Sequence, residues 1–105
     1  MSLFVSGEAV EKMRRLYQKR RNVLYRGLRR LGLKLKKPLA SFYVWCEVPN
    51  GHTSESFSTL LLEKAAVVCT PGNGFGAHGE GYVRFALTVD APRLEEAVDR
   101  IGKVL

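Results

Sequence analysis

The sequence predicts an α+β domain, a small sheet with helices packed on one face and a long helix at its N-terminal end. Three observations predict it. Apolar residues recur at helical spacing from Val10 to Leu31 and again from Leu94 to Leu105. Residues 41–48 and 82–88 are aromatic and β-branched and alternate with the period of a strand. Between those strands lies a stretch dense in glycine with neither period. A chain of 105 residues suits one compact core.

The elements follow in order. Over residues 7–31, Val10, Met13, Tyr17, Leu24, Leu28 and Leu31 form one apolar stripe, while most of the arginines fall off it. Ser6 can cap the start of this helix, and Gly32 supplies a left-handed stop. A helix this long in so small a domain suits a spine connecting to further structure. Leu33, Lys34 and Leu35 alternate as a short strand, and Pro38 breaks the chain. In SFYVWCEV (41–48), Phe42, Val44, Cys46 and Val48 share one face, and Tyr43, Trp45 and Glu47 the other. Pro49-Asn50-Gly51 makes a turn, and Ser54 opens a second helix running to Ala66. AVVCT (66–70) reads as a short buried strand leading into the glycine loop PGNGFGAHGEG (71–81). In YVRFALT (82–88), Val83, Phe85 and Leu87 face one way, and Tyr82, Arg84, Ala86 and Thr88 the other. Asp90 or Pro92 begins the last helix, with Leu94, Ala97, Val98, Ile101 and Leu105 as its stripe.

Composition narrows the function classes. No apolar run approaches the roughly 20 residues a membrane-spanning helix needs, and the first ten residues lack the basic start and apolar stretch of a signal peptide. Met1-Ser2-Leu3 is compatible with a start added for expression to a piece of a longer protein. Cys46 and Cys69 sit singly in apolar stretches, which predicts small core residues of a reducing compartment and favours the cytoplasm. The net charge of +7 is uneven: residues 1–37 hold twelve Lys and Arg against Glu8 and Glu11, a net +10, and the remainder is net −3. Such asymmetry marks either a nucleic-acid-binding module or the solvated face of a helix.

Few residues carry chemistry. Gly74, Gly76 and Gly79 match the dinucleotide-binding spacing, but a strand follows where that motif needs a helix N-terminus facing the pyrophosphate, so the match is rejected. His52 and His78 lack metal-ligand neighbours, and no nucleophile motif is present. Arg84 stands mid-strand between apolar neighbours. Its planar fork suits a carboxylate through two parallel hydrogen bonds, but an arginine on a solvated sheet face has the same pattern, and the pattern alone prefers that plainer reading.

TPGNGFGAHGEGYVRFALT (70–88) resembles the C-terminal signature "PG..FG..GEGY.R" of the class I/II, fold type I aminotransferases. ASFYVWCEVP (40–49) resembles the strand that precedes it in that family, and YQKRRNVLYRGLRRLG (17–32) the helix leading into the small domain. The three occur in the family's order across nearly the whole chain, and the wording is most similar to LL-diaminopimelate aminotransferases. Ala40 departs from the glycine often found before S-F-Y, which bears on substrate choice. The resemblance implies that residues 1–105 are the C-terminal small domain of a pyridoxal-phosphate enzyme acting on amino acids and 2-oxo acids. It also implies that Arg84 binds the substrate α-carboxylate. The Schiff-base lysine, phosphate cup and pyridine-nitrogen aspartate then belong to a large domain outside these residues. Lys64, the one lysine outside residues 1–37 and the last helix, has no matching context. No cofactor or catalytic site is therefore expected in this piece alone. The large domain and a homodimer partner would be its partners, and nucleic acid is disfavoured. Without them, apolar surface including Phe4, Tyr17 or Tyr82 is expected to drive self-association or exchange of the first helix between copies.

Overall fold

The computed structural model describes residues 6–36 and 42–105. Helix α1 (Gly7–Arg30) starts where the Ser6 side chain accepts the Ala9 N–H, and it ends at Leu31 with Gly32 at φ +86°. Strand β1 (Tyr43–Glu47), helix α2 (Ser54–Ala65), strand β2 (Thr70–Pro71), strand β3 (Tyr82–Ala86) and helix α3 (Ala91–Val104) follow. The three strands form an antiparallel sheet in the order β1-β3-β2, so the last strand in the chain is the central one. Both long strands show a strict inside–outside alternation, which aims Val44, Cys46, Val83 and Phe85 at the helices. There they meet Leu24 and Leu28 of α1, Phe57 and Leu61 of α2, and Leu94, Val98 and Ile101 of α3. This is the expected α+β layer, with every helix contributing to a core on one side of the sheet.

Caps explain the helix boundaries. Thr53 and Ser56 form a reciprocal capping box at the start of α2. Asp90 accepts the Arg93 N–H ahead of α3, with Pro92 in the first turn. Helices α1 and α3 cross at Gly27, where an added Cβ would lie 2.6 Å from a methyl of Val98. The missing side chain is what lets the two backbones approach.

Three local expectations are corrected. Leu33–Leu35 is not a strand: the Leu33 N–H still donates to Leu28 O, closing the helix, so only the next residues reach the sheet. They pair with the edge of β1 through a single bridge between Leu35 and Cys46. AVVCT is not a strand either. Ala66 adopts a left-handed turn at φ 55° and the Val67 N–H caps Leu61 O, so these residues finish α2, and pairing starts at Thr70. Val67 is buried as expected, but Val68 is 78% exposed. Phe42, expected to share a face with Val44 and Cys46, differs from those buried residues: it is 55% exposed and packs edge-on against Tyr17 at 4.7 Å. Its carbonyl still accepts the Leu87 N–H at 2.9 Å, so the backbone stays tied to the residue after β3 while the ring meets α1.

The apolar stripe of α1 divides in two. Leu24 and Leu28 are fully buried, whereas Val10 and Met13 are 39% and 51% exposed. Tyr17 and Tyr82 are half-buried, and Phe4, Pro38 and Ala40 lie outside the described residues. Cys46 is fully buried and its thiol is pushed up to about 12, chiefly by desolvation. Cys69 is half-buried and pushed up to about 11 for the same reason. Both are free thiols that stay protonated near neutrality. No described helix is long and apolar enough to cross a membrane.

Candidate functional site

The face of the sheet turned away from the helices is where alternation places Arg84. Trp45 of β1 and Thr70 of β2 flank it in register on either side. The guanidinium carbon lies over the Tyr43 ring at 3.9 Å from its centroid and over the Phe75 ring at 4.4 Å. Phe75 in turn meets Trp45 edge-on at 5.4 Å. Among the described residues no carboxylate pairs with Arg84; the ion pairs present join Glu8, Glu11 and Glu96 to cations of their own helices. Those exposed pairs contribute little to stability. Arg84 is thus a half-buried cation with its charge uncompensated by a neighbouring acid, in an aromatic setting.

The glycine loop delivers one of these rings. It runs as two short 3₁₀ turns, Gly72–Phe75 and Ala77–Gly79, before β3. The backbones of Gly72 and Gly79 pass so closely that a Cβ on either would collide with the other's carbonyl oxygen, and Gly76 and Gly81 take φ of +101° and +91°. The turn is therefore sterically closed to most side chains. No helix follows the loop, which accords with rejecting it as a dinucleotide cradle.

Glu80 anchors the loop, a role that sequence reasoning missed. Its Oε1 accepts the Ser54 N–H at 3.0 Å and its Oε2 accepts the Ser54 hydroxyl at 2.7 Å. Ser54 is the first residue of α2 and fully buried, so an exposed acid seals the helix N-terminus from outside. The Ser54 backbone bond first, and its hydroxyl second, hold the Glu80 carboxyl below the usual carboxylate range. Asn73 adds a bond from its Nδ2 to Glu55 at 2.9 Å. An acid in a loop and a serine opening a helix are visible in sequence, but their meeting across 26 residues is not. Tyr43 and Trp45 are legible as neighbours of Arg84's face; Phe75, in an aperiodic loop, is not.

The geometry suits binding a small carboxylate. A guanidinium held over ring faces, with no carboxylate paired to it among the described residues, has N–H donors to offer a planar anion. The described residues do not fit pyridoxal phosphate as a bound group. Lys64 is exposed on the last turn of α2, and Lys36 lies over the Tyr82 ring at 5.2 Å. Both aspartates, Asp90 and Asp99, belong to the start and body of α3 in the helical layer. Nor do the described residues group three potential metal ligands. His52 instead lies 3.2 Å from the Ser56 hydroxyl. The basic residues of α1 line an open groove of about 700 Å³ against α3, where Glu95 and Asp99 face Arg15, Lys19, Arg26 and Arg30. The acids temper that charge, as on the solvated face of a helix.

The family described as aminotransferase class I and II matches residues 2–101. The chain is similar to LL-diaminopimelate aminotransferase of Moorella thermoacetica, 51% identical over 98 residues that make up 93% of this chain and 25% of that protein. It is 54% identical over 95 residues to the enzyme of the same name from Syntrophobacter fumaroxidans, covering 90% of this chain and 24% of that one. Among solved structures it resembles an aromatic aminotransferase from Pyrococcus horikoshii OT3, with a TM-score of 0.90 and 41% identity over 93% of this chain and 26% of that one. A substrate-bound BacF structure from Bacillus subtilis gives a TM-score of 0.89 and 40% identity over 94% of this chain and 26% of that one. The chain spans about a quarter of the length of these relatives.

Proposed function

We propose that this chain, which belongs to the class I and II aminotransferase family, is the C-terminal small domain of a larger enzyme and that Arg84 holds the substrate's α-carboxylate there. The observation that carries the reading is a cation over two aromatic rings with no carboxylate paired to it among the described residues. Two parallel N–H donors fix both oxygens of a carboxylate, and with them the direction in which the bonds at Cα point. Arg84 therefore binds and orients; it moves no proton. The family implies pyridoxal phosphate in the intact enzyme, where the cofactor supplies the electron sink. The residues that hold it belong to the large domain, which together with a homodimer partner also covers the exposed part of α1. The names of the relatives from Moorella and Syntrophobacter support an LL-diaminopimelate-type amino acid and its 2-oxo acid as substrates.

In the intact enzyme, Arg84→Gln is expected to lower kcat/KM for the amino donor by about 100-fold, the loss of a charge-assisted pair of bonds. Arg84→Lys, which keeps the charge without the fork, recovers only part of it. An undiminished kcat/KM in Arg84→Gln refutes the assignment. The 105-residue chain alone is expected to carry no transaminase activity. It is also expected to hold no stable pyridoxal-phosphate site, and a saturable, borohydride-trappable adduct at one of its lysines would overturn that expectation.

A further inference from the structure

We infer that Phe75 and Tyr43 are positioning residues for the carboxylate site: by stacking on the Arg84 guanidinium they fix its plane while leaving its charge and its donors free for the ligand. This rests on the reading of Arg84 as the carboxylate ligand and adds to it the groups that make an arginine on an otherwise open sheet face selective.

An arginine side chain carries much rotamer freedom, and a mobile guanidinium binds a carboxylate weakly because ordering it opposes binding. Proteins usually restrain such a cation with an acid, but an acid would compete with the substrate for the same N–H edge. Aromatic faces do not. They attract the cation through the ring quadrupole, accept no in-plane hydrogen bond, and leave the full positive charge for the ligand. The distances of 3.9 Å to the Tyr43 centroid and 4.4 Å to the Phe75 centroid are those of face contact.

The two rings come from independent parts of the fold. Tyr43 stands at the start of β1, and its position follows from strand register with Ala86. Phe75 belongs to the glycine loop and is 47% exposed, so core packing does not account for it. Its place is set by the crossing of Gly72 and Gly79, by the left-handed turn at Gly76 immediately after it, and by the edge contact with Trp45. The strain-tolerant glycines and the Glu80 anchor thus serve one outcome, a ring held over the cation. The class of ligand selected is a compound whose carboxylate approaches edge-on in the guanidinium plane.

The test compares, in the intact enzyme, turnover of an α-amino acid with that of the amine that lacks its carboxylate. Phe75→Leu, which keeps bulk and removes the π-face, is expected to reduce kcat/KM for the amino acid about threefold to tenfold. The loss should appear mainly in KM, leave the amine's kcat/KM unchanged, and be restored by Phe75→Tyr. Tyr43→Leu should behave in the same way, and serves alone if the loop variant does not fold. Equal losses for amino acid and amine in both leucine variants, or no loss in either, overturn the positioning role. Arg84→Gln separates the two claims. If it abolishes the preference for the carboxylate while the ring variants leave it intact, only the positioning inference fails; if it leaves the preference intact, the reading of Arg84 fails with it.

Discussion

Replacing Gly27 by alanine sets two opposing effects against each other at the crossing of α1 and α3. In a helix interior alanine is favoured over glycine by about 1 kcal/mol, because glycine loses more backbone freedom on folding. Here, however, the new Cβ would lie 2.6 and 2.8 Å from the two Val98 methyls and 3.2 Å from Val98 Cβ. Valine fills two of the three staggered positions on its Cβ, so every rotamer keeps a methyl in at least one of these two close places and the helices themselves must part. Overpacking of this kind costs about 1–3 kcal/mol, which leaves Gly27→Ala destabilising by about 0–2 kcal/mol on balance. Val98→Ala removes both methyls from a buried site and alone costs about 2 kcal/mol. In that background both methyls are gone and only the position-98 Cβ at 3.2 Å remains, a contact that a shift of a few tenths of an ångström relieves, so the alanine at position 27 should stabilise by about 1 kcal/mol. The sign of the Gly27→Ala effect therefore reverses with the residue at position 98, a coupling of about 1–3 kcal/mol. Urea unfolding of the parent, both single variants and the double variant, followed by far-UV circular dichroism, measures it. A Gly27→Ala change that stabilises the parent as much as it stabilises the Val98→Ala protein would show that the helices do not meet at this glycine.

Two further outcomes test the loop that carries Phe75. Gly72→Ala places a Cβ against the Gly79 and Tyr82 carbonyl oxygens, which are backbone and cannot turn aside, and should cost more than about 3 kcal/mol in urea unfolding. Gly74→Ala, whose Cβ meets nothing within 4 Å, is the matched control and should stay within about 0.5 kcal/mol of the parent. For Glu80, the carboxyl is held below its usual value in the folded protein, so its contribution is fully present above the ordinary carboxylate range. It is lost as pH falls through the lowered value. Glu80→Gln should accordingly flatten the acid side of the stability profile, read as thermal midpoints between about pH 3 and pH 6. Identical slopes in parent and variant would mean that the clasp on Ser54 is not formed by the ionised acid.

Patterns confined to one element are legible in the residues themselves. The alternation in YVRFALT places Arg84 opposite Val83 and Phe85, and the strand keeps that alternation in the sheet. Ser6, Asp90 and Gly32 announce helix ends through side chains or conformations that act on their immediate neighbours. Legibility fails where local and non-local demands compete. Val67 and Val68 have strand-forming side chains, yet the end of α2 claims Val67's N–H, and a backbone group can serve only one partner there. The stripe of α1 likewise names which residues share a face without saying how much of that face is covered. Leu24 and Leu28 are buried because α1 lies over the sheet and α3 at that end, while Val10 and Met13 extend beyond them.

What the sequence alone determined, then, is the α+β class, the faces of each strand and the side of the sheet on which Arg84 stands, since all of these depend on periods of two and 3.6 residues that each segment carries by itself. The tertiary structure decided the company Arg84 keeps. Phe75 reaches it from a loop without periodicity, through a glycine crossing whose two halves are seven residues apart, and Glu80 holds that loop by meeting Ser54 across the fold. Such meetings depend on the relative placement of whole elements, which close packing of the common core sets and no single segment encodes.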